Sequence, residues 1–136
     1  MQNPPPVQTT KSSTGLDENV AALLAYVFNW VSGLIFFLIE KESRLVRFHA
    51  MQSILLTASA AVIGFVLWFL WIIGFFISAA ISDVLGWLMT LVLGLLWFVF
   101  IVAVLIAFIM CLIKAYNRQY FKLPVIGNLA EKFSMK

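Results

Sequence analysis

The sequence predicts an all-α integral membrane protein with three transmembrane helices and a short amphipathic helix near its C-terminal end. Three observations support this fold class: 63% of the 136 residues are hydrophobic, only 11% are charged, and the apolar residues fall into long runs. Soluble domains are about half apolar and about a quarter charged. The composition therefore excludes an ordinary soluble domain, and the length suits one transmembrane domain over residues 16–136.

A polar segment precedes that domain. Residues 1–15 contain three consecutive prolines and a cluster of Thr, Ser and Lys, with no apolar surface to bury. This composition is typical of a disordered segment. It also lacks the basic region of a signal peptide. We therefore predict a disordered N-terminal tail over residues 1–15.

The first apolar run covers residues 20–39 and contains no charge. A helix rises about 1.5 Å per residue, so this run would cross the roughly 30 Å hydrocarbon core of a bilayer. Asp17 and Glu18 precede it, where acidic side chains complement the helix dipole. A charged triplet, residues 40–42, follows it. We expect one spanning helix here.

Two longer apolar runs follow, separated by Asp83. Residues 50–82 and residues 84–113 contain no Asp, Glu, Lys or Arg. Each run is longer than a perpendicular span requires. Asp83 follows Ser82 in a sequence typical of a turn and a helix cap. The second and third spans are expected at about residues 53–81 and 85–113.

The basic residues predict the orientation. Most of them lie in the loop after the first span and in the tail after the third: Lys41, Arg44, Arg47, Lys114, Arg118, Lys122, Lys132 and Lys136. Three spans place both segments on one side, as the positive-inside rule requires, whereas four spans would separate them. The prediction is a multi-pass protein of the cell membrane with its N-terminus outside and its C-terminus in the cytoplasm.

The C-terminal tail, residues 114–136, mixes aromatic and basic residues, as expected at a membrane interface. Beyond Pro124, the apolar residues Ile126, Leu129 and Phe133 recur at helical spacing. This spacing predicts a short helix that either lies on the membrane or folds back onto the spanning helices.

The first loop carries the most informative polar residues. Ser43 is placed to cap the second helix, which would leave Arg44 and Arg47 in a turn where the dipole disfavours cations. Either salt bridges to Glu40 or Glu42, or contact with lipid phosphates or an anionic partner, would compensate. The candidate contact residues are Glu40, Glu42, Arg44, Arg47, His49 and Gln52.

A second candidate set is a seam between the first two helices, formed by small and mildly polar residues: Tyr26, Asn29, Gly33, Ser53, Thr57 and Gly64. Small residues let helices approach closely, and hydroxyl or amide groups bond across the contact. A polar conduit between helices would have the same composition, so the sequence leaves both interpretations open.

The sequence contains no recognised catalytic motif, and the expected spans carry no ionisable acid, base or histidine. The only histidine, His49, has no neighbouring ligand cluster and indicates a hydrogen-bonded structural role rather than a metal or haem site. Cys111 lies in an apolar run and indicates a packing residue. We expect no enzyme activity, no metal or cofactor and no nucleic-acid partner, whereas anionic lipid headgroups suit the basic residues.

Four segments taken together resemble a known family. They are residues 15–23 (GLDENVAAL), 37–42 (FLIEKE), 46–53 (VRFHAMQS) and 123–132 (LPVIGNLAEK). They are similar to a widespread prokaryotic family of small membrane proteins of unknown function. That family is grouped by similarity with the twenty-kilodalton inner-envelope component of the chloroplast Tic protein-import translocon. The resemblance implies no known catalytic residues.

Two functions remain in competition. The first is a non-catalytic module that binds other membrane proteins or copies of itself, and the resemblance implies a connection to protein import or insertion. The second is a small channel or transporter with a polar path between helices, which would have to be an oligomer because three helices enclose no substantial pore. The lack of charge within the spans favours the module.

Overall fold

A computed structural model describes residues 11–135, and its regular elements are all α-helices. In chain order they are α1 (Glu18–Val27), α2 (Trp30–Ile39), α3 (Arg44–Ile81), α4 (Asp83–Tyr116) and α5 (Ile126–Ser134). The all-α prediction is confirmed. Residues 1–10 of the expected disordered tail, and Lys136 of the basic tail, lie outside the described residues.

The chain divides into two compact units. Within the described residues, unit 1 comprises residues 11–57 and 110–135, and unit 2 comprises Ala58–Ile109. Unit 1 therefore contains α1, α2, the beginning of α3, the end of α4 and the tail with α5. Each unit is described on its own below.

Helices α1 and α2 of unit 1 form an antiparallel hairpin. The chain breaks at Phe28 and Asn29, where Asn29 adopts a positive φ of 53°. The Ser32 hydroxyl donates to the Ala25 carbonyl, seven positions earlier, at 3.0 Å, which a continuous helix would not allow. At the open end, Ser43, just after α2, donates to the Glu18 carboxylate at the start of α1. The second helix thus returns to the level at which the first began.

This hairpin differs from the single spanning helix expected over residues 20–39. The sequence places no proline or charge within that run, so hydropathy alone gives no sign of the break. Two helices of the described chain, Arg44–Ile81 and Asp83–Tyr116, are long and apolar enough to cross a membrane. Three transmembrane helices, and the opposite placement of the two termini that depends on them, are therefore not confirmed.

The start of the described chain also differs from the expected tail. Residues 11–15 form a turn in which the Gly15 amide donates to the Ser12 carbonyl at 2.8 Å. Gly15 has a φ of 81°, a conformation that glycine adopts readily. Lys11 forms an isolated bridge with Asp17. This turn, which we call the N-terminal strap (residues 11–17), packs against the end of α2.

The end of α4 and the tail complete unit 1. After α4, an irregular segment leads to α5, and Gly127 comes so close to Lys122 that an added Cβ would lie 2.5 Å from the Lys122 Cα. Helix α5 buries Gly127, Ala130 and Ser134 and exposes Leu129 and Phe133. The predicted C-terminal helix is present, and its small residues, rather than its large apolar ones, face the rest of unit 1.

Unit 2 is an antiparallel pair formed by the end of α3 and the start of α4, with Ser82 between them. Small residues bring the two helices together. Near the turn, an added Cβ on Gly86 would lie 3.2 Å from the Ala79 Cα, and farther along Gly74 faces Met89 and Leu93. Most of the large apolar side chains of this unit are exposed, as suits a lipid environment.

Candidate functional site

The Glu40 carboxylate is the first of two buried polar centres in unit 1. It accepts hydrogen bonds from the Ser12 hydroxyl, from the Ser13 hydroxyl at 2.8 Å and from the Ser43 amide at 2.9 Å. The amides of Ser13 and Glu42 add further bonds at 3.1 and 3.0 Å. Glu40 thereby joins the N-terminal strap to the loop between α2 and α3.

Two effects act on the pKa of Glu40 in opposite directions. Burial raises this pKa, but the hydrogen bonds from Ser12, Ser43 and Ser13 lower it by more, and the pKa falls from 4.5 to about 2. Glu40 is therefore ionised at neutral pH although its side chain is fully buried. Its charge is balanced by oriented donors rather than by a cation.

Among the described residues, neither Arg44 nor Arg47 forms the salt bridge to Glu40 or Glu42 that was one of the expected compensating contacts, and contact with lipid phosphates or an anionic partner stays a prediction. Instead, the Arg47 guanidinium donates to the backbone carbonyl of Glu40 at 3.1 Å and to that of Ser134 at 3.3 Å. It also lies 4.9 Å from the centroid of the Phe37 ring. The serine donors already occupy the Glu40 carboxylate. The Arg47 guanidinium therefore donates hydrogen bonds to backbone carbonyls at the ends of α2 and α5.

Ser43 caps α3 as predicted. Its hydroxyl accepts a hydrogen bond from the Val46 amide at 3.2 Å, the usual geometry of a serine N-cap. The same hydroxyl donates to the Glu18 carboxylate, so one side chain joins the starts of α1 and α3. Arg44 and Glu42 are exposed, where they remain available to headgroups or partners.

The second polar centre surrounds His49, on the first turns of α3. Its Nε2 lies 3.0 Å from the Gln119 carbonyl, and its Nδ1 lies 3.1 Å from the Tyr26 hydroxyl. A carbonyl can only accept, so Nε2 carries the proton and the tyrosine donates to Nδ1. His49 is fully buried and joins α1, α3 and the tail, in agreement with the structural role predicted from sequence.

Gln52 lies beside this histidine and bonds to three parts of unit 1. Its Nε2 lies 3.0 Å from the Phe121 carbonyl, 3.2 Å from the Cys111 sulfur and 3.4 Å from the Tyr26 hydroxyl. A flipped amide would place two carbonyl oxygens face to face, so the bond to Phe121 fixes its orientation. Oε1 is buried and has no hydrogen-bond partner among the described residues.

Part of the predicted seam exists. The Ser53 hydroxyl donates to the Asn29 carbonyl at 2.9 Å, and Gly33 packs against α3. An added Cβ on Gly33 would lie only 2.9 Å from the Ala50 carbonyl oxygen. Thr57 donates to the Ser53 carbonyl of its own helix at 3.0 Å, and Gly64 belongs to unit 2, where it faces Trp97 and Phe100.

Sequence reasoning missed three functions in this site. Ser12 and Ser13 were assigned to a disordered tail, although they hold the Glu40 carboxylate. Ser32 satisfies the backbone at the hairpin break, and no sequence motif indicated this role. Cys111 is buried as expected, but it also accepts a hydrogen bond from Gln52. The contacts of Ser12, Ser13 and Cys111 join residues far apart in sequence, and local patterns do not reveal them.

Comparison with known proteins gives the family. The model of the magnetosome magnetite crystal formation proteins matches residues 16–130, most of the chain. The chain belongs to the magnetosome magnetite crystal formation protein family. A UPF0132 membrane protein of Methanocaldococcus jannaschii is 41% identical over 124 residues, which cover 91% of this chain and 94% of that relative.

Further relatives are also named membrane proteins. A second UPF0132 membrane protein of the same archaeon is 36% identical and covers 88% of this chain and 71% of its own length. One from Archaeoglobus fulgidus is 37% identical, with 86% and 95% covered. The predictions of a membrane protein and of a prokaryotic family without a characterised function are confirmed. The similarity to the chloroplast import component is not shown, and no solved structure matches the chain.

Proposed function

We propose that this family member is a non-catalytic membrane module that associates with a second copy of itself through unit 2. The single observation that carries the proposal is an open apolar groove of about 350 Å³ on unit 2. Its lining residues are Ala60, Ala61, Gly64, Phe65, Trp68, Trp97 and Phe100. Its lining combines small residues with aromatic side chains.

A second copy fits this groove better than lipid alone for a geometrical reason. In lipid, helices associate by close packing rather than by a hydrophobic driving force, and small residues allow that packing. The exposed rings of Phe65 and Trp68 form a ridge directly beside the small residues. In a twofold contact the ridge of each copy enters the groove of the other, so one surface supplies both halves.

The polar residues of unit 1 support a structural rather than a conducting role. The Ser53 and Thr57 hydroxyls, which would line a conduit, both donate to backbone carbonyls. His49 is held at both ring nitrogens. The described residues also contain no group of three His, Cys, Asp or Glu side chains arranged to hold a metal ion. The family is named for magnetite crystal formation. In that process, such a module would act as a membrane scaffold.

The proposal includes an orientation in the cell membrane. In unit 1, the strap, the first loop and the tail carry the basic residues Lys11, Lys41, Arg44, Arg47 and Arg118 and contact one another. Basic segments remain on the cytoplasmic side. We therefore expect this end of unit 1 to face the cytoplasm, against anionic headgroups.

Disulfide crosslinking in native membranes tests the self-association. Ala61→Cys in a Cys111→Ala background should give a covalent dimer, because Ala61 is exposed and lines the groove. Val66→Cys in the same background is the matched control, since Val66 is exposed but lies outside the groove. Ala61→Leu should abolish association, whereas Val66→Leu should leave it unchanged.

Other outcomes would replace the proposal. Crosslinks from Ala61→Cys to a different membrane protein, without a dimer of this chain, would make the groove a partner site. Solute flux through liposomes that contain the purified protein, abolished by Thr57→Val, would establish a channel instead.

A further inference from the structure

The α1–α2 hairpin enters and leaves unit 1 at the same end. Its two open ends meet through Glu18 and Ser43, and the strap before α1 bonds to Glu40 after α2. The tail lies at this end as well, because Arg118 reaches the Asn19 side chain at 3.5 Å and His49 reaches Gln119. The polar segments before α1 and after α2 therefore lie together at the open end of the hairpin.

Each arm of the hairpin is half as long as a membrane span. Helices α1 and α2 have 10 residues each, which corresponds to about 15 Å per arm, against a hydrocarbon core of roughly 30 Å. The tip carries no charge, and beside the amide of Asn29 it exposes the large apolar side chains of Phe28, Trp30 and Val31. An uncharged tip at this distance from the polar end would stop near the middle of the bilayer.

The backbone amide and carbonyl groups at the tip form the hydrogen bonds that this depth in the bilayer requires. Non-helical backbone in the hydrocarbon region must be paired within the protein. The Phe28 amide donates to the Ser32 hydroxyl at 3.1 Å, and the Asn29 carbonyl accepts from Ser53 at 2.9 Å. The Asn29 carbonyl also accepts from the Gly33 amide at 3.1 Å. The Ser32 and Ser53 hydroxyls thus pair backbone groups at the break that water would otherwise have to solvate.

We propose that the α1–α2 hairpin is re-entrant, fills one leaflet only, and makes the protein prefer a strongly curved lipid surface whose convex leaflet contains unit 1. The occupant of the exposed hairpin face is the acyl-chain region of that leaflet. Helix α5 adds to the effect, since it presents Leu129 and Phe133 outward from the same unit. Inserting apolar helices into one leaflet expands it relative to the other, and convex leaflets accept such insertion most readily.

Cysteine labelling in a Cys111→Ala background tests the re-entrant path. Lys11→Cys and Lys122→Cys should react with a membrane-impermeant maleimide from the same side. Val31→Cys at the tip should be protected from both sides. Reaction of Lys11→Cys and Lys122→Cys from opposite sides would establish a single crossing by residues 18–39 and overturn the proposal.

Sorting on membrane tubes tests the curvature preference. Fluorescent protein is reconstituted into giant phosphatidylcholine–phosphatidylglycerol vesicles, and its density in a pulled tube is compared with that in the parent vesicle. With Lys122 facing outward, the tube should be enriched about two-fold, and with Lys122 facing inward it should be depleted. Equal density in both orientations would overturn the preference even if labelling supports the re-entrant path.

A matched pair of variants assigns the effect to the hairpin. Ile35→Ala with Leu38→Ala removes exposed side-chain volume from α2 and should reduce the enrichment. Leu91→Ala with Leu95→Ala removes equal volume from exposed positions of unit 2 and should not reduce it. An equal reduction by both pairs would show that the sorting does not arise from the hairpin.

Discussion

At the scale of single residues, Glu40 joins the N-terminal strap to the loop between α2 and α3. An ionised carboxylate inside a membrane protein is costly unless donors surround it. Hydroxyl and amide donors from the strap and the first loop perform this function here. A glutamate that appeared in the sequence as a partner for a loop arginine thus anchors the chain before α1.

The pH dependence of stability follows from this arrangement. The pKa of Glu40 is lowered from 4.5 to about 2, so its contribution to stability is complete above pH 4.5 and is lost as the pH falls toward 2. At about 1.4 kcal/mol per pKa unit, the shift sets an upper bound of roughly 3 kcal/mol on this contribution, and solvent screening reduces it. Thermal unfolding in detergent should show a melting temperature that falls over this range.

Glu40→Gln should have a lower melting temperature at neutral pH and a weaker dependence on pH below 4.5 than the parent protein. Glu42→Gln is the control, because Glu42 is exposed and its side chain holds no part of the strap. Parallel melting curves for the parent and Glu40→Gln across the acidic range would contradict the assignment.

At the scale of helices, the decisive feature is the break between α1 and α2. The hairpin packs on α3 at Gly33, where only a hydrogen fits beside the Ala50 carbonyl. Ser53, on the next turn of α3, holds the Asn29 carbonyl at the tip. The position and the direction of α2 therefore depend on close backbone contact with α3.

Gly33→Ala tests this contact. The added Cβ would lie 2.9 Å from the Ala50 oxygen and 3.2 Å from Ile54 and Ser53, so α2 must move away. We expect a loss of about 1–3 kcal/mol in the free energy of unfolding, measured by denaturant titration in mixed micelles. Gly94→Ala is the matched control: nothing lies within 4 Å of its added Cβ, and alanine in an exposed helix should stabilise by roughly 0.5–1 kcal/mol. Equal effects at the two glycines would exclude the close contact.

At the scale of the whole chain, Arg47 connects segments that are distant in sequence. It reaches the carbonyl of Ser134, 87 positions later, as well as that of Glu40 and the ring of Phe37. The large apolar side chains of α5 are exposed. Attachment of α5 therefore depends on its small-residue face and on this guanidinium.

Arg47→Lys should weaken the attachment of α5. A planar guanidinium can donate to two carbonyls while it stacks on the Phe37 ring, and an ammonium group cannot. Hydrogen exchange of the α5 amides should become faster, while exchange in unit 2 should remain unchanged. Lys132→Arg is the control, since Lys132 is exposed. Unchanged exchange in α5 would show that the Arg47 guanidinium is not needed to hold the helix.

Much of the protein could be predicted from sequence. The all-α class, the two long apolar helices, the Ser43 cap and the C-terminal helix depend on composition, hydropathy and local capping, which are properties of neighbouring residues. A hydrogen-bonded role for His49 was also predicted, although its burial was not. The Glu40 cluster and the bonds of Arg47 were not, because their partners come from the strap and from α5.

The sequence by itself determined that the chain enters a membrane, since the transfer free energy of apolar side chains is nearly additive and needs no knowledge of the fold. Only the tertiary structure decided that residues 20–39 turn back on themselves. An uncharged run of that length can cross the bilayer once or enter it and return. The choice depends on which groups form hydrogen bonds with the backbone at Phe28 and Asn29. Ser32 does so from within the hairpin, and Ser53 does so only when the hairpin lies against α3.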